Sequence, residues 1–141
     1  MDPLSVTASV LTILGVATQV TKGLAKVRAL HYAPAELSSL INEVSDLRAI
    51  ISQVATFSNQ LEEERFRGPV IALKSHLDRA TDQLRSLENL INAELIKIRN
   101  NGTTRISRTA WIRLSPDIDM MRRELRSNRV NIGTALGIVT S

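Results

Sequence analysis

The amino-terminal stretch constrains this chain most. From Pro3 to Thr21, 19 residues run without a charge. As a helix that run is about 28 Å long at 1.5 Å per residue, close to the roughly 30 Å hydrocarbon core of a bilayer. Val6, Val10, Ile13, Ala17, Val20, Leu24 and Val27 recur at alternating spacings of four and three, which predicts a helix from Pro3 to about Leu30. Asp2 suits its N-cap, and Pro3 suits the first helical position, where a missing N–H breaks nothing. Leu4, Leu11, Leu14 and Val16 lie off that seam, so the front half is apolar nearly all round. Its Ser, Thr and Gln residues leave it less apolar than an ordinary spanning helix. Such a segment has two readings: the buried central helix of a soluble bundle, or an element that leaves the bundle for a membrane. From Lys22 onward it turns amphipathic, with Lys22, Lys26 and Arg28 on the polar side.

The rest of the chain repeats the pattern without the ambiguity. His31-Tyr32-Ala33-Pro34 breaks the first helix, because Pro34 disfavours helical geometry at Ala33. A second helix over residues 35–59 carries the seam Leu37, Leu40, Val44, Leu47, Ile51 and Val54, widened by Ile41 and Ile50, with Glu36, Glu43, Asp46 and Arg48 elsewhere. Glu62-Glu63-Glu64 belongs to a solvated connector ending at Gly68-Pro69. A third helix over 70–99 keeps heptad spacing through Val70, Leu73, Leu77, Ala80, Leu84, Leu87, Ile91 and Ile98. Asn100-Asn101-Gly102 stops it. Arg105 to Leu114 reads as a basic connector carrying Trp111, the sole tryptophan, whose ring is expected to fold over one end of the bundle. Ser115 as N-cap and Pro116 at the first position restart a fourth helix over 116–139, with Ile118, Met121, Leu125, Ile132, Ala135 and Val139 inward. Asn128 interrupts that seam and is expected to fix register. No strand-like alternation survives, so residues 1–141 read as one all-α domain, an antiparallel four-helix bundle.

Composition then narrows function. There is no cysteine among the 141 residues, which excludes disulfides and thiolate chemistry. His31 and His76 are far apart, and no nucleophile, acid–base pair, phosphate loop or metal motif appears, so neither enzyme activity nor a cofactor or metal is expected. The net charge of +4 is uneven: residues 1–96 carry 9 basic and 11 acidic side chains, residues 97–141 carry 9 basic and 3 acidic. A basic end suggests an anionic partner, lipid or nucleic acid, or else a solvated face. No helix-turn-helix spacing, aromatic platform or basic zipper accompanies it, so nucleic acid is not expected. The only charge before the apolar run is Asp2, which disfavours a signal peptide.

Three pieces also resemble a known family: the opening Met1-Asp2-Pro3-Leu4-Ser5-Val6-Thr7-Ala8-Ser9-Val10, the run Leu40-Ile41-Asn42-Glu43-Val44-Ser45-Asp46-Leu47-Arg48, and Trp111 followed by a basic amphipathic helix to Ala135-Leu136. In that order they resemble the fungal HeLo-like (HELL-type) domain, the amino-terminal cell-death module of NLR-type (STAND) proteins. The family's small-residue repeat is weak in this first helix. The resemblance implies a bundle similar to necroptotic executioners. It implies a chain that is cytoplasmic at rest, oligomerises with itself under an upstream receptor or fused signalling domain, and permeabilises the plasma membrane. On this expectation Leu4, Val6, Val10, Leu11, Ile13, Leu14, Gly15, Val16 and Val20 enter the membrane, while Lys22, Lys26, Arg28, Arg105, Arg108 and Arg113 contact anionic lipid. The alternative is a non-lytic adaptor whose bundle surface binds another helical domain or a second copy.

Overall fold

The computed structural model describes residues 3–29, 35–57, 61, 67–95 and 108–140, and these contain helices and no strand. Helix α1 spans Pro3–Ala29, α2 Ala35–Thr56, α3 Arg67–Leu90 and α4 Arg108–Thr140, with a π-helical turn Ile91–Leu95 prolonging α3. Helix α1 packs on α2 and α3, and α4 packs on the same two, so the helices occupy the corners of a square in the order α1, α2, α4, α3. Contacts fix their directions. Ser9 meets Asp78 and Gly23 meets Ile91, so α1 and α3 run parallel. Glu43 meets Arg126 and Arg129 while Ile50 reaches Gly133, so α2 and α4 are parallel too. Asn128 bonds Gln83 and Arg113 bonds Glu94, which makes α3 and α4 antiparallel. Consecutive helices therefore alternate in direction, as expected, and α2 and α3 occupy diagonal corners.

The heptad seams build the core. All seven seam positions of α1 are at most 3% exposed, and those of α2 at most 1%. On α3 the run from Val70 to Ile91 is equally buried; Ile98 lies outside the described residues. Burying the six larger α1 side chains contributes on the order of 10 kcal/mol, comparable to the whole net stability of a small domain. The π-helical turn has a local cause. Heptad spacing after Leu87 and Ile91 would aim Glu94 inward; the extra residue per turn brings in Leu95, 1% exposed, and leaves Glu94 half-buried.

Three expectations need correction. Helix α1 is not central: each of the other three helices has a full apolar stripe, so four stripes close on one axis and none is surrounded. Leu11 is 67% exposed, Thr7, Ala8, Thr12, Gly15 and Gln19 are exposed, and Leu14 and Val16 are half-buried. Helix α4 does not begin at Ser115-Pro116 but at Arg108, and Pro116 sits inside it. An internal proline removes one backbone bond and crowds the preceding turn, at a cost of about 3 kcal/mol. Against that, Trp111 and Leu114 extend the α4 seam at the same spacing and are 2% and 7% exposed, each burial contributing roughly 1.5–3 kcal/mol. Trp111 thus belongs to the first turns of α4 and packs into the core at one end of the bundle. Likewise α3 begins three residues before Val70, with Gly68 and Pro69 in its first turn, where a missing N–H is harmless. The expected break at 31–34, the acidic run 62–64 and the stop at 100–102 lie outside the described residues.

Candidate functional site

The candidate site is α1 with the end of the bundle it points to. From Val6 to Ala29, 24 residues, it is long and apolar enough to cross a membrane by length and composition, and 28% of its most apolar stretch is buried in the bundle. The residues expected to enter a membrane divide between two faces. Val6, Val10, Ile13 and Val20 face the core, whereas Leu11 and Gly15 face outward and Leu14 and Val16 lie between. The side chain of Leu4 lies outside the described residues.

The outer face of α1 carries no charge from Thr7 to Thr21. Its neighbours differ: Asp46 on α2, Asp78, Arg79, Asp82 and Arg85 on α3, and Arg123, Glu124 and Arg126 on α4 are all exposed. Three of the four threonines of α1 also hide their polarity. Thr12, Thr18 and Thr21 each donate a hydroxyl to the carbonyl four residues back, at 2.9, 2.8 and 2.8 Å. A hydroxyl already bonded to its own backbone is cheaper to bring into a solvent without hydrogen-bonding groups.

Because α1 is parallel to α3 and α4 antiparallel to it, the carboxy-terminal end of α1 and the start of α4 share one end of the molecule. Sequence reasoning chose basic groups from both, and the fold brings these two segments to that end. They differ in availability. Lys22, Lys26 and Arg28 are exposed and form no ion pair among the described residues. Arg113 is exposed but bonds Glu94 at 3.2 Å. Arg105 and the side chain of Arg108 lie outside the described residues. Further along α4, Arg122 and Arg123 both hold Asp119. Their hydrogen bonds, Arg122 foremost, keep that carboxyl below the usual range. Much of the basic excess of this helix is therefore engaged within the fold.

Sequence reasoning missed one buried charge outside this site. Glu43, placed off the apolar seam of α2, has a side chain only 5% exposed, and it accepts from Arg129 Nε at 2.8 Å and Arg126 Nε at 3.3 Å. The signal was Glu36, Glu43 and Ile50, spaced by sevens along the edge of α2 that meets α4. At the α3–α4 contact, Asn128, 2% exposed, donates Nδ2–H to Gln83 Oε1 at 2.5 Å. The indole Nε1 of Trp111 is buried and has no acceptor among the described residues.

Two cavities follow the α1–α3 groove. One of about 420 Å³ lies between Ala8, Ser9 and Thr12 on α1 and Lys74, Asp78, Thr81, Asp82 and Arg85 on α3. The other, about 240 Å³, lies nearer the basic end beside Lys22, Gly23 and Lys26. Among the described residues no cluster of His, Asp and Glu could hold a metal ion.

Fold and site define an all-helical bundle domain, one corner of which is a helix able by length and composition to cross a bilayer. The chain belongs to the family described as pigment biosynthesis cluster protein PigL N-terminal, which matches residues 1–141. No curated protein and no solved structure matches it. The family match is coarser than the HeLo-like resemblance and assigns no activity.

Proposed function

We propose that this domain is a membrane-targeting cell-death executor of the HeLo-like kind. It is cytoplasmic at rest, oligomerises when an upstream receptor or fused signalling domain activates it, and permeabilises the plasma membrane through α1 without an enzymatic step. The observation that carries the reading is the uncharged outer face of a corner helix, backed by self-bonded threonines and followed by Lys22, Lys26 and Arg28, cations that form no ion pair among the described residues. Leaving the bundle forfeits the on-the-order-of-10 kcal/mol burial of the α1 seam. Lipid accepts the same apolar side chains, and an anionic surface adds about 1 kcal/mol for each basic group near it. The two homes are thus close enough in free energy for an activating partner to shift the balance.

Dye leakage from phosphatidylcholine vesicles containing phosphatidylserine tests this. Leu11→Asp changes an exposed side chain, so the fold persists, while an aspartate within the hydrocarbon costs about 2.5–3.5 kcal/mol of insertion. Wild-type protein is expected to release dye and the variant to release much less. A second reading, a non-lytic adaptor, is favoured by the complete burial of the α1 seam. It predicts a defined oligomer in light scattering and no leakage from either protein.

A further inference from the structure

The smaller cavity of the α1–α3 groove has a chemistry of its own. It is lined by Gln19, Lys22, Gly23 and Lys26 on α1, with Glu88 on α3 and Asn92 in the π-helical turn; Val20 and Ile91 form its apolar floor. Lys22 and Lys26 stand one helical turn apart, so their ammonium groups reach over the same ground. Neither has an ion-pair partner among the described residues, and Glu88 also forms no ion pair with them. Gly23, between the lysines, keeps the groove open to Ile91: a Cβ there would lie 3.2 Å from Ile91 Cγ2. The cavity therefore offers two ammonium groups, one carboxylate and two neutral amides around a space of about 240 Å³. That is smaller than a pocket for a whole drug-sized ligand and suits a headgroup.

We propose that this cavity binds the phosphoserine headgroup of phosphatidylserine. The headgroup presents two anionic groups, phosphate and carboxylate, and one ammonium, a net charge of −1 that mirrors the +1 of Lys22, Lys26 and Glu88. The lysines hold the phosphate and the carboxylate, Glu88 receives the ammonium, and Gln19 and Asn92 supply neutral donors and acceptors. A simple phosphate would satisfy the lysines but leave Glu88 repelling it. The site exists only while α1 is docked on α3, so it serves recruitment of the resting domain to the membrane and precedes any insertion. It rests on the membrane reading for the source of the ligand, not for its chemistry.

The test measures binding, not leakage, so it stands apart from the fate of the executor reading. Full-length chain and its variants are titrated with phosphatidylcholine vesicles containing either phosphatidylserine or phosphatidylglycerol at equal surface charge. Lys26→Gln is expected to weaken binding to phosphatidylserine vesicles by about tenfold or more, as the loss of a charge-assisted bond in a site requires. Arg28→Gln, outside the cavity, removes the same charge and is expected to weaken it by about fivefold or less. Glu88→Gln carries the sharper expectation: weaker binding to phosphatidylserine and stronger binding to phosphatidylglycerol, which has no ammonium. Soluble glycerophosphoserine is expected to shift the backbone amide resonances of Lys22, Gly23, Lys26 and Asn92. Equal losses for Lys26→Gln and Arg28→Gln, an Glu88→Gln effect of one sign on both lipids, or no shift with the soluble headgroup would each overturn the proposal.

Discussion

Glu43 ties α2 to α4 through two arginines that are themselves partly in water, with side chains 55% and 31% exposed. That asymmetry decides what its removal does. Glu43→Ala leaves a void and two bonds unmade, and should lower the unfolding free energy by about 1–3 kcal/mol. Glu43→Leu fills the same space with apolar atoms while Arg126 and Arg129 turn to solvent, and should cost less than the alanine variant. Urea denaturation of both proteins checks the order; a leucine variant the weaker of the two would mean that the space around position 43 does not accept a leucine side chain. The position also shows the limit of reading residues from sequence. Asn128 was legible because it interrupts its own helix's seam. Glu43 was not, because its burial depends on which helix lies alongside, and α2 and α4 are far apart in sequence.

Periodicity made the helices legible, and capping rules misled at their ends. The described seam positions foreseen on α1, α2 and α3 are all buried, since a four-three repeat in Leu, Ile and Val has few other homes. On α4, Ser115-Pro116-Asp117 has every mark of a helix start, yet the seam continues upstream through Leu114 and Trp111, and that burial outweighs the proline. The π-helical turn was invisible for a related reason: it repairs a local mismatch between heptad spacing and the order of Glu94 and Leu95. Because α4 runs through Pro116, restoring the N–H that would bond Ile112 should help. Pro116→Ala should then stabilise the domain by about 1–3 kcal/mol, a rise in the thermal midpoint readable by circular dichroism. A helix that started at Pro116 would gain nothing from the same change, since proline is well suited to that position.

Taken whole, the molecule is a square of four helices in which one corner differs from the rest. Three corners turn charged faces to water, and α1 turns an uncharged one from Thr7 to Thr21, with three cations near its carboxy-terminal end that form no ion pair among the described residues. The sequence made the ambiguity of α1 plain but not its position, because a run that is apolar nearly all round suggests a central helix. Only the packing of four complete seams moves it to a corner, where it touches two neighbours and can separate from both without passing through the core. The account stands on that separation. The chain has no cysteine, and Ser9 Oγ donates to Asp78 Oδ1 across the α1–α3 groove at 3.2 Å, so Ser9→Cys with Asp78→Cys provides one reversible tether between the two helices. The direct measurement is dye release from phosphatidylserine vesicles by that double variant, oxidised and then reduced. The account predicts silence while the tether holds and release once it is reduced; equal release in both states would show that α1 stays docked, and would contradict it.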